Sequence, residues 1–107
     1  MPSKALPIIK NSQVKKLEVD HGCQNLTYID NVSHLEYLEE LEINCEYKAP
    51  LKLTSGVFMN NTKLRKLDLK QNKIQMLYND TLKGLVNLEE IDLSSNPITN
   101  VPSGNTV

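Results

Sequence analysis

Residues 64–74, LRKLDLKQNKI, return in altered form as LEEIDLSSNPI at residues 88–98. Leu64 answers to Leu88, Leu67 to Ile91, Leu69 to Leu93, Asn72 to Asn96 and Ile74 to Ile98, while nearly everything between these slots changes. The slots also run back along the chain. Rows begin at Val14, Leu38, Leu64 and Leu88, at intervals of 24, 26 and 24 residues. Three residues after each start stand Leu17, Leu41, Leu67 and Ile91, and two further on stand Val19, Ile43, Leu69 and Leu93. Six residues before the starts stand Ile8, Val32, Phe58 and Leu82. A fixed period of this length predicts a solenoid, because no single row can bury its own apolar face and the rows hold together only by stacking.

Within a row, the LxxLxL spacing is period-two alternation, which predicts a short strand with one buried face. Strands repeated every 24 residues and running the same way need a return path between neighbours. Segments such as NKIQMLYNDTLKGLVN are too short for a long helix and two loops. Turns, extended pieces and short helical pieces are therefore expected on the convex side, with the strands lining the concave side. The charges give an independent sign of register. The pairs after the row starts read Lys15-Lys16, Glu39-Glu40, Arg65-Lys66 and Glu89-Glu90, so stacking in order sets each basic pair beside an acidic one. Opposite charges facing each other on adjacent strands contribute roughly 0.2–1 kcal/mol per pair, so the alternation says more about register than about stability.

Composition narrows the partners. A formal charge of -1 over 107 residues offers no electrostatic reason to expect nucleic acid or an anionic membrane surface. No apolar run approaches the length of a membrane span. The opening MPSKALPIIKNSQ lacks the apolar core and small-residue cleavage site of a secretory signal. Catalysis finds no support: there is no phosphate-cradling Gly-rich loop, no nucleophile signature and no carboxylate pair in a cleft. No cofactor is expected. His21, His34 and the two cysteines have no finger-like spacing, so no zinc site is expected and no residue is assigned as a metal ligand.

The run LRKLDLKQNKIQMLYNDTLKGLVNLEEIDLSSNPITNVPSG resembles the leucine-rich repeat family. It is similar to the 24-residue extracellular type found in Toll-like receptors, Slit-like guidance proteins and secreted insect immune proteins. The family pattern LxxLxLxxNxIxxLxxxxLxxLxx fits residues 64–87 without a gap. The match is close over 58–102 and looser over 14–57, where Gly22 and Glu46 take the Asn slot and EYKAPLKLTSG is irregular. The resemblance implies an α/β leucine-rich repeat solenoid that binds a protein ligand on its concave strand face or an edge. It also implies an Asn ladder at the bend after each strand, which Asn72 and Asn96 can form. Residues 1–13 then read as the tail of a preceding repeat or an N-terminal cap, and 14–107 as about four repeats truncated at the C-terminus. Neither end carries a cysteine-rich cap, so the chain is expected to be a portion of a longer ectodomain. Self-association through the uncapped terminal repeat is expected.

Cys23 and Cys45 fall nine and seven residues after their row starts, which puts them in adjacent rows just beyond the strand. With the Asn slot lost there, a Cys23–Cys45 disulfide would clamp the first two rows; two separate buried thiols are the alternative. Sequons occur at Asn25, Asn31, Asn60 and Asn79, all outside the strand segments, where a glycan has room. Together these features favour an extracellular recognition module over a cytoplasmic repeat adaptor with free thiols and no glycans.

Alternation sends positions two, four and six of each row outward. These are Lys16, Glu18 and Asp20; Glu40, Glu42 and Asn44; Lys66, Asp68 and Lys70; and Glu90, Asp92 and Ser94. They form the candidate partner-binding surface on the concave face. Its middle column, Glu18, Glu42, Asp68 and Asp92, carries one sign throughout, suited to a basic protein surface or a divalent cation, though a solvated strand face would read the same way. Tyr28, Tyr37, Tyr47 and Tyr78 lie in returns or at row edges, where an edge-on contact is open to them.

Overall fold

The structure is a computed structural model that describes residues 13–19, 32–44 and 50–99. Four short strands appear at the predicted places: β1 Lys16–Val19, β2 Glu40–Ile43, β3 Lys66–Asp68 and β4 Glu90–Asp92. They form one parallel sheet in sequence order, with Leu17 beside Leu41, Leu41 beside Leu67 and Leu67 beside Ile91. Each row enters its strand in the same way. The Lys15 carbonyl accepts from the N–H groups of Glu39 and Glu40, that of Glu39 from Arg65 and Lys66, and that of Arg65 from Glu89 and Glu90. A shared acceptor recurring at one row position means that the rows are superposed copies and not merely neighbours.

The aliphatic columns make a single spine. Leu38, Leu64, Leu41, Leu67, Ile43 and Leu69 are fully buried, with Val32 and Phe58 behind them. Burying a leucine or phenylalanine contributes about 1.5–3 kcal/mol, so the stack is held chiefly by these columns. Val14, Leu17 and Val19 at one end, and Leu85, Leu88, Ile91, Leu93 and Ile98 at the other, are only partly buried against it.

The convex side departs from expectation. The short helical pieces anticipated there are not found among the described residues; turns carry the chain instead. In each return two i→i+3 bonds follow one another: Leu35 N–H to Val32 O and Leu38 to Leu35; Asn61 to Phe58 and Leu64 to Asn61; Leu85 to Leu82 and Leu88 to Leu85. The inward slots are three residues apart, and a three-residue turn eclipses side chains at that spacing where an α-helix would rotate them off the core. The irregular second row is also explained. Leu53 lies 24 residues before Leu77, as Phe58 lies before Leu82, so the two extra residues of the 26-residue interval enter upstream of it. Leu51 and Leu53 are buried with Ile74 and Leu77, and the Leu51 N–H donates to Asn72 O at 2.9 Å. Further along, the Ser55 hydroxyl donates to both Asp80 carboxylate oxygens at 2.6 and 2.7 Å, tying consecutive returns together.

Candidate protein-binding face

The outward strand positions stand in two columns. Lys16, Glu40, Lys66 and Glu90 are register partners in one, and Glu18, Glu42, Asp68 and Asp92 in the other. In the first column charge alternates across the sheet, with Lys16 Nζ 3.9 Å from Glu40. Beside it Arg65 reaches both neighbouring rows, at 3.8 Å from Glu39 and 3.2 Å from Glu89. The hydrogen bond to Glu89, and then its charge, raise the Arg65 pKa. These pairs are solvent-exposed and add little stability each, but they fix the order of charge over the face.

The acidic column is less uniform than its sequence. Asp68 is buried and ion-paired to Lys70 at 3.0 Å, and the Lys70 N–H donates to Asp68 Oδ1 at 3.2 Å. One row on, Asp92 does the same with Ser94, whose N–H and hydroxyl donate to Oδ1 at 2.9 and 2.6 Å. Both aspartates therefore close a small turn that ends the strand, so part of their role is structural. Lys70 is raised in pKa first by the hydrogen bond it donates to Asp68, then by the Asp68 charge, with smaller contributions from Asp92 and Glu42, which makes it the counter-ion of the stripe. Glu18 has a partner on its own strand, Lys16 at 3.4 Å. The signal for the Lys70 pairing was present in the sequence as Asp-x-Lys, since residues two apart share a strand face. Among the described residues no three acidic, His or Cys side chains gather as a metal site.

The Ser94 hydroxyl, then its N–H, hold the Asp92 carboxyl below the usual carboxylate range. A depressed folded pKa contributes stability above the unfolded value and loses it as pH falls through the folded one. Ser94→Ala is expected to move the Asp92 titration upward toward an ordinary carboxylate, followed by NMR of its carboxyl carbon.

At the bend after the strand, Asn72 is buried and its amide donates to Ile43 O at 2.7 Å and Lys70 O at 3.1 Å. The Asn96 Oδ1 accepts from the N–H groups of Asn72 and Ile74, both at 2.9 Å, and its amide donates to Leu69 O and Leu93 O, also at 2.9 Å. Gln71, Lys73 and Ser95 take positive φ around these bends. Two further asparagines join rows and were not singled out from sequence. Asn61 is buried and donates to Val32 O and Leu35 O at 3.3 and 3.1 Å, and Asn87 donates to Thr62 O at 2.7 Å. An asparagine in a column otherwise holding Leu35 and Leu85 is the sequence signal for the first.

Of the other candidate residues, Asn44 is half-buried and its Oδ1 is without a hydrogen-bond partner. Asn60 and Asn79 are exposed on the returns. Asp20, Cys23, Cys45, Asn25 and Asn31 lie outside the described residues, as do Tyr28 and Tyr47. Tyr37 and Tyr78 are exposed. No helix of the described residues is long and apolar enough to cross a membrane.

The leucine rich repeat family profile matches residues 36–98, more than half of the chain. The chain belongs to the leucine-rich repeat family. Toll-like receptor 5 of Mus musculus is 33% identical over 90 residues, covering 84% of this chain. The chain spans only 10% of that relative's length. Leucine-rich repeats generally serve as protein-binding folds, and the in-register strands described above are the repeat unit of this leucine-rich repeat chain.

Proposed function

We propose that this chain is a non-catalytic protein-binding segment of an extracellular receptor or secreted recognition protein, of innate-immune or guidance type. Its protein ligand docks on the outward positions Lys16, Glu18, Asp20, Glu40, Glu42, Asn44, Lys66, Asp68, Lys70, Glu90, Asp92 and Ser94. The observation that supports this reading is the parallel register of four strands, in which Lys16, Glu40, Lys66 and Glu90 form one column and Glu18, Glu42, Asp68 and Asp92 the next. The likeness to a Toll-like receptor supports the receptor part of it. A Cys23–Cys45 disulfide and glycans at Asn25, Asn31, Asn60 and Asn79 belong to the same reading, as does self-association through the half-exposed columns Leu88, Ile91 and Leu93.

Intact mass of the full chain from a secretory host tests the compartment. A loss of two hydrogens relative to the reduced chain, plus glycan mass, is expected; an unmodified, fully reduced chain would favour an intracellular adaptor and contradict the proposal. A photo-crosslinking residue at Glu42 tests the face. Protein adducts on intact cells are expected from Glu42 and not from Lys83 on the convex side, and the reverse pattern would move the interface off the strands.

A further inference from the structure

Five large apolar side chains stay exposed among the described residues, and two of them, Tyr37 and Met59, stand together on consecutive returns at 44% and 46% exposure. They line a shallow depression of about 370 Å³ with Glu36, Asn60, Thr62 and Lys63. Such a volume lies within the range of ligand-holding clefts. Resting on the extracellular reading above, we propose that this depression seats the first sugar of an N-linked glycan on Asn60.

The sequon Asn60-Asn61-Thr62 is fixed by its middle residue. Asn61 is buried, bonded to Val32 O and Leu35 O, and its N–H closes the turn onto Phe58 O at 3.0 Å. Asn60 and Thr62 on either side are exposed, so the acceptor amide and the hydroxyl that marks the sequon both lie open on a rigid return. Asn79 makes a contrast. Its sequon threonine, Thr81, is fully buried with its hydroxyl accepting the Tyr78 N–H at 2.8 Å. A second cleft among the described residues, about 150 Å³ between Leu51, Leu53, Met76 and Tyr78, does not include Asn79.

The lining has the chemistry of a pyranose seat, since it combines the apolar surfaces of the Tyr37 ring and the Met59 chain with the polar groups of Glu36, Thr62 and Lys63. Lys63 Nζ sits 5.8 Å from the Tyr37 ring centroid, which helps to hold the ring in place. A sugar ring has the matching duality of C–H face and hydroxyl edge. In the modification, the Asn60 amide nitrogen bonds to the anomeric carbon of a lipid-diphosphate-linked oligosaccharide, the anomeric C–O bond to diphosphate breaks, and the amide gives up one proton. The tethered sugar then covers Tyr37 and Met59.

The test uses the full chain from a secretory host, trimmed enzymatically to one N-acetylglucosamine per site, in four forms: parent, Asn60→Gln, Tyr37→Ser and the double variant. Glycopeptide mapping should find Asn60 occupied. The Asn60 sugar should raise Tm by about 3–5 °C when Tyr37 is present and by less than about 1 °C in the Tyr37→Ser background. Equal shifts in the two backgrounds, or no shift in the parent, would overturn the seat. A bare Asn60 with other sequons occupied overturns this inference alone, whereas four bare sequons overturn it together with the extracellular reading.

Discussion

Replacing Gly84 by alanine is expected to cost this protein about 3–4 kcal/mol of stability, near the top of what one methyl group can do. Gly84 has φ +99°, and a Cβ there would lie 2.7 Å from Phe58 O and 2.8 Å from Met59 Cα. Both obstacles are backbone of the preceding row, so relief requires the rows to separate. Gly56 is the internal control, with φ +67° and only the Met59 side chain in the way, its Cγ at 3.3 Å. Gly56→Ala should cost about 1–2 kcal/mol, the usual penalty for a side chain in the left-handed region. Urea denaturation of the three proteins checks this, and equal losses at the two glycines would mean that the returns are not packed row on row.

Asn72→Ala is expected to cost about 2–4 kcal/mol, because it leaves the buried carbonyl of Ile43 and the partly buried one of Lys70 without their donor. Asn96 makes more hydrogen bonds, yet it is half-buried and water can replace some of them. Asn96→Ala should therefore cost less, about 1–2 kcal/mol. Asn72→Asp adds a sign check. A carboxyl in this buried slot is pushed up in pKa by lost hydration, so the folded state binds its proton more tightly than the unfolded chain. Its stability must then fall as pH rises. The variant should be nearer the parent at pH 4 than at pH 7, and a deficit independent of pH would show that the slot is open to water.

The register of the sheet was legible because apolar slots at fixed spacing admit one stacking, and the alternating charges at Lys16, Glu40, Lys66 and Glu90 agree with it. The returns were harder to read. Side chains spaced by three, as in Val32, Leu35 and Leu38, suit a turn or a helical piece equally until the hydrogen bonds are seen. Gly84 gave no signal either, since the same row position holds His34 and Asn60 elsewhere, and its need for glycine arises from a positive φ and the close approach of the Phe58 and Met59 backbone. On the candidate face the outward residues were identifiable by alternation. What alternation could not give was the division of labour within the acidic column, where Asp68 and Asp92 turn back onto Lys70 and Ser94. With Glu18 paired to Lys16, that leaves Glu42 as the carboxylate of the column without such a partner among the described residues.

Cross-strand nuclear Overhauser contacts on labelled protein reach the heart of the matter. Backbone amide and α-protons of β2 should show contacts that join Leu41 to Leu67, and those of β3 contacts that join Leu67 to Ile91, as parallel neighbours in this register require. Contacts displaced by one residue would turn the charged columns inward and the leucines out. Finding that displacement, or no contacts between these strands at all, would contradict both the stacked rows and the recognition face built on them.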